Sequence, residues 1–99
     1  MAKADRSGGG IRFNLGRLLA TPGALAAMER SGQGPMDFLS RHARGDWGEV
    51  GAEDWKANDR SLTDGTRLLS AYLTSQGEKL WVITEADRSA TTILLPDEY

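Results

Sequence analysis

A chain of 99 residues with 39% hydrophobic and 26% charged side chains fits one folding unit with a single core and is neither disordered nor fibrous in composition. No apolar run is long enough to span a bilayer, and the first thirty residues lack the apolar core of a secretory signal, so the expected setting is the cytoplasm, with no membrane partner. The absence of cysteine excludes disulfides, thiolate metal sites and a cysteine nucleophile. The net charge of −2 supplies neither the basic stripe of a typical nucleic-acid binder nor the acid density of a DNA mimic.

Residues 1–10, MAKADRSGGG, join small and charged groups to three glycines, a composition that does not repay the entropy of ordering. A flexible tail is expected there, ahead of one domain over residues 11–99. Ile11, Phe13 and Leu15 alternate with Arg12 and Asn14, which predicts a strand with one buried face. Thr21-Pro22-Gly23 predicts a helix start: the threonine oxygen can accept from an orphan N–H, and proline at the first helical position sacrifices no needed donor. That helix runs to about Arg30, with Leu25 and Met28 on its apolar stripe beside Ala24 and Ala27, and Gly32 stops it.

Gly34-Pro35 opens a second helix, in which Met36, Leu39 and Ala43 fall at helical spacing before Gly45. Trp47 is expected to anchor the connector from Asp46 to Gly51. A third helix, Ala52 to Leu62, carries Glu53 and Asp54 in its first turn, where negative charge favours the helix dipole, and turns Trp55, Asn58 and Leu62 inward. After Thr63-Asp64-Gly65 the period changes from helical to alternating. The segment from Arg67 to Leu95 reads as a three-stranded antiparallel meander, with turns at Ser75-Gln76-Gly77 and Ala86 to Ser89. Lys79 to Glu85, dense in Trp81, Val82, Ile83 and Thr84, is its expected centre. The fold class is therefore α+β: a three- or four-stranded antiparallel sheet, the fourth strand being residues 11–15, with three short helices on one face. Such a sheet leaves an edge strand to be managed, by homodimerisation or by a partner.

Three stretches, FNLGRLLATPGAL, RHARGDWGE and LLSAYLTSQGEKLWVITEADRSATTILLPDEY, resemble a group of small uncharacterised proteins carried by bacterial plasmids, phages and integrated elements. The resemblance covers nearly everything after residue 11. Members are often labelled plasmid-related protein or type I restriction endonuclease subunit M. The second label does not fit these residues: an adenine methyltransferase needs an Asn/Asp-Pro-Pro-aromatic motif, whereas Pro22, Pro35 and Pro96 are never adjacent, and 99 residues do not supply both a cofactor domain and a DNA-reading domain. What the resemblance implies is a mobile-element origin; it carries no functional residues with it.

His42, the only histidine, would need a nucleophile and an orienting carboxylate to act as a base. Ser40 and Asp37 do not converge on it along a helix, and a surface or helix-end histidine is the favoured reading. Asp46, Glu49, Glu53 and Asp54 lack the ligand spacing of a zinc or calcium site, and neither GGG at 8–10 nor GQG at 32–34 forms a phosphate loop; no cofactor or metal is expected. The turn holding Glu85, Asp87 and Arg88 is the most polar cluster. It is either a displayed binding loop or a turn in which Asp87 caps its own backbone while Glu85 and Arg88 pair. Arg41 and Arg44, with Arg12 and Arg17, are the candidates for a modest basic patch with Phe38 or Trp47, although core packing is the favoured reading of those aromatics. Glu85, Asp87, Arg88, Arg41, Arg44 and Trp47 are thus the candidate partner-binding residues. The expected function is a non-catalytic protein-binding module that meets a host or element-encoded protein, as an anti-restriction or anti-CRISPR modulator. The alternative is a nucleic-acid-associated regulator of plasmid or phage maintenance.

Overall fold

The computed structural model describes residues 10–99; apart from Gly10, the tail expected over residues 1–10 lies outside them. Strand β1 (Arg17–Ala20) leads into helices α1 (Pro22–Ser31), α2 (Pro35–Ala43) and α3 (Ala52–Asp64). The meander β2 (Leu68–Leu73), β3 (Lys79–Thr84) and β4 (Ala90–Leu94) follows, closed by a 3-10 turn at Pro96–Glu98. The class is α+β, with a four-stranded sheet in the order β1-β4-β3-β2. Local chemistry starts α1 as its sequence predicts: Pro22 occupies the first turn, and the Thr21 hydroxyl accepts from the Ala24 N–H at 3.2 Å.

The fourth strand is not the one the alternation predicts. Phe13 and Leu15 are half-buried, but Ile11 is 76% exposed, and the segment bonds to the end of α2, with Arg12 N donating to Ala43 O at 2.8 Å. The strand begins later, at Arg17, and pairs parallel with β4, Leu18 beside Thr91 and Ala20 beside Ile93. The sheet is therefore mixed rather than wholly antiparallel. Gly16 is the physical reason: its φ is +68°, and a Cβ there would drive into the backbone of Ser89. Only glycine turns the chain that closely onto the entry of β4, so pairing starts just after it.

Alternation decides the core face. The register places Tyr72 opposite Leu80, Ser70 opposite Val82, Val82 opposite Ile93 and Thr84 opposite Thr91, and paired residues share a face. Against that face pack Ala24, Ala27 and Met28 of α1 and Phe38 and Leu39 of α2. The helical periodicity predicts the third helix beside these two. It docks instead on the edge of the sheet, where the Asn58 side chain imitates a neighbouring strand: its amide nitrogen donates to Leu69 O at 2.7 Å, and its amide oxygen accepts from Leu69 N at 3.1 Å.

The connector before α3 completes that edge. Ala71 N donates to Trp47 O at 3.1 Å, and Glu49 N donates to Ala71 O at 2.6 Å, so the outward peptide groups at both Leu69 and Ala71 are satisfied by the chain itself. Trp47 does anchor the connector, being fully buried with its indole N–H on Asp59 at 2.9 Å. Gly48 makes the close approach feasible: at φ +75°, a Cβ would collide with the Ala71 carbonyl oxygen and the Tyr72 ring. Gly48→Ala is therefore expected to lower stability by roughly 2–4 kcal/mol. Chemical denaturation checks the magnitude, and faster hydrogen exchange at the Ala71 amide locates the damage.

Candidate functional site

Helix α2 directs His42 inward, contrary to the surface position expected from its neighbours. Its side chain is fully buried, because α2 lies across the sheet with Phe38, Leu39 and Ala43 also inside. Nδ1 sits 2.5 Å from Ser70 Oγ and Nε2 sits 2.8 Å from Thr84 Oγ1. Thr84 Oγ1 is 2.7 Å from Thr91 Oγ1, and the Thr91 hydroxyl donates to Leu15 O at 2.6 Å.

The direction of every bond follows from the last. Thr91 has one proton and gives it to a carbonyl, so Thr84 must donate to Thr91; Thr84 then accepts from the Nε2–H of His42, which leaves Nδ1 to accept from Ser70. His42 is thus the neutral Nε2–H tautomer, set by its neighbours. Burial first, and then the positive charge of Arg88, push its pKa down to about 3. Phe13 and Trp47 meet the ring edge-on at centroid distances of 5.3 and 5.5 Å. With both nitrogens satisfied and no water-facing side, the group ties elements together and is not placed to meet a substrate. Sequence reasoning missed it because its partners lie 28 and 42 residues away; the one available signal was three hydroxyls, Ser70, Thr84 and Thr91, at inward positions of apolar strands.

The polar turn is tied into the fold. Arg88 adopts φ +62°, the one non-glycine residue in that region among the described residues. Its guanidinium donates to the carbonyls of Thr66 at 2.6 Å and Ser61 at 2.9 Å, and more loosely to Glu85 and Ala86. The cation thereby caps the end of α3 and joins it to the β3–β4 turn. Asp87 accepts from Ser89 N at 3.0 Å, which closes the turn on its own backbone; the Ser89 side chain first, and this backbone bond second, hold its carboxyl below the ordinary range. The Glu85 side chain is exposed, and Arg88 reaches its backbone oxygen rather than its carboxylate.

Within the candidate basic patch one cation is already engaged. Arg41 pairs with Asp46 at 2.8 Å and stacks 4.5 Å above the Tyr72 ring. That hydrogen bond holds the Asp46 carboxyl below its usual range and raises the guanidinium further. Arg44 is exposed at the end of α2, while Trp47 lies in the core, beyond the reach of a partner. No three His, Asp or Glu side chains gather into a metal site among the described residues, and no described helix is long and apolar enough to cross a membrane.

What the fold leaves uncovered is β1. Arg17 N donates to Ser89 O and Thr21 N to Ile93 O, both at 3.0 Å. These bonds turn the peptide groups of 17, 19 and 21 toward β4 and those of Leu18 and Ala20 outward. Among the described residues nothing pairs with that edge. Leu18 and Leu19 are 50% and 43% exposed, and Ile11, Phe13 and Leu18 line one shallow hollow with Arg88.

Two measurements probe this assignment. A histidine neutral in the fold binds protons more readily when unfolded, so its contribution is complete above its unfolded pKa of ~6.5 and is lost as pH falls toward about 3. Urea titrations should show stability falling by up to ~1.4 kcal/mol per pH unit below about pH 6, and His42→Leu should flatten that slope while lowering stability throughout. Arg88→Ala should cost roughly 2–3 kcal/mol, and Arg88→Gly about 1 kcal/mol less because it relieves the positive φ; thermal melts of both variants check the order. No protein-family model, curated protein or solved structure matches the chain.

Proposed function

We propose that the chain is a non-catalytic protein-binding module that works by strand addition at β1, in the setting its resemblance implies: a bacterial mobile element, where it modulates a host defence such as restriction or CRISPR immunity. The observation that carries the binding reading is the contrast between the two sheet edges. The β2 edge is closed at Leu69 and Ala71 by Asn58 and the 47–49 segment, whereas among the described residues β1 presents two outward peptide units flanked by exposed leucines. An open edge of this kind is a template for another strand: main-chain bonds supply affinity, and alternate side chains supply selectivity.

The described residues favour this over catalysis because both ring nitrogens of the histidine are spent on two buried hydroxyls, Ser70 and Thr84. They favour it over nucleic-acid binding because Arg30, Arg41 and Arg88 are engaged by Glu78, Asp46 and backbone carbonyls, which leaves a thin basic surface for phosphates. The defence assignment rests on the resemblance.

Expression of the chain in a restricting or CRISPR-immune host should raise the plating efficiency of a targeted phage by an order of magnitude or more. Leu18→Lys combined with Leu19→Lys, which charges the edge without entering the core, should abolish the effect. Unchanged plating with the native chain overturns the defence reading, and DNA binding that weakens steeply with salt would replace it with the nucleic-acid one.

A further inference from the structure

Resting on the reading of β1 as the binding edge, we infer that in the free protein this edge is occupied by a second copy of this chain, joined antiparallel about a two-fold axis through Leu19 in a weak dimer that a target can displace. The result is a continuous eight-stranded sheet.

Hydrogen-bond parity points to this register. The outward peptide groups belong to Leu18 and Ala20. An antiparallel pair centred on Leu19 places Leu18 of one copy opposite Ala20 of the other, and the reverse, so the two facing pairs exchange four N–H to carbonyl bonds, with Leu19 against Leu19 between them. A centre on Leu18 or Ala20 would face only that one outward residue with itself inside the strand, for two bonds instead of four, and a centre between residues would set inward peptide groups against outward ones. The side chains agree. Leu18 and Ala20 lie on the helix-covered face, through their pairing with Thr91 and Ile93, and would extend the apolar core across the axis. Leu19 would meet its equivalent on the opposite face, in the close spacing of a non-hydrogen-bonded pair.

Charge complementarity selects a second copy. Two residues from the centre, Arg17 of one copy falls opposite Thr21 of the other. The Thr21 hydroxyl is held by the Glu98 carboxylate, which also accepts from Gly23 N at 3.1 Å and Leu95 N at 2.8 Å. These bonds, the one from Thr21 foremost, keep the Glu98 carboxyl below its ordinary range and so ionised. The two-fold therefore sets an arginine beside an anchored carboxylate at each end of the paired strands. Four residues make a short seam, below the area of a standard interface, so the dimer is weak and reversible, with dissociation in about the micromolar range.

The chain contains no cysteine, which allows a register-specific test. Sedimentation equilibrium over a concentration series should show the 10.7 kDa monomer converting to twice that mass, with raised salt weakening the dimer and Leu19→Lys abolishing it. Under mild oxidation Leu19→Cys should crosslink to a dimer at least about tenfold faster than Arg17→Cys, since equivalent positions meet at the axis for residue 19 and lie some four residues apart along the strands for residue 17. A monomer at every concentration, or equal crosslinking by the two variants, overturns the inference. The plating assay separates the two readings: a monomer that still protects phage leaves the binding edge to another protein, whereas a dimer that protects nothing removes the defence role and keeps the dimer.

Discussion

The single-direction chain of hydrogen bonds from Ser70 through His42, Thr84 and Thr91 to the Leu15 carbonyl is the constraint on which the rest of the structure turns. It ties α2, three strands and the segment before β1 at one buried place. Apolar packing alone would let a short helix slide on a small sheet, because burial is non-directional. Four bonds with fixed donors and acceptors admit one register, and a shift of α2 would leave an imidazole and several hydroxyls buried without partners, each costing about 1–3 kcal/mol. The neutral histidine, its tautomer and its depressed pKa all follow from that closure.

Around this point the chain treats its two sheet edges differently. The β2 edge is closed by a mimic strand, partly an asparagine side chain and partly the backbone around Gly48. The charged groups of the β3–β4 turn serve the same consolidation: Arg88 gathers carbonyls from α3 and from its own turn, and its strained φ is held by those bonds. Strand β1 sets the exposed Leu18 and Leu19 beside two outward peptide groups that no other described segment meets. A sheet closed by so much local chemistry on one edge, and unpaired among the described residues on the other, has a natural place for intermolecular pairing.

Much of the architecture was legible because it is written locally. Thr21-Pro22 and Gly34-Pro35 start helices through groups within one turn, and Lys79 to Thr84 declares a strand by composition and alternation. The alternation over 11–15 carried a burial pattern without a pairing partner, while RLLA at 17–20 has no strand period of its own and becomes a strand by lying against β4. The candidate site was less legible for the same reason. The Asp87 turn closure was legible because its partner is two residues on, whereas the Arg88 contacts were not, because they reach carbonyls of Thr66 and Ser61 at the end of α3.

By itself the sequence determined the class of the fold, its three helices and the antiparallel meander, since each depends on the periodicity and terminal chemistry of contiguous residues. Tertiary structure alone decided that the sheet is mixed, that His42 is buried and neutral, that Asn58 and the segment around Gly48 close one edge at Leu69 and Ala71, and that no other described residue pairs with the outer edge of β1. Those outcomes depend on which peptide groups and hydroxyls meet across tens of residues, and no local period encodes such meetings.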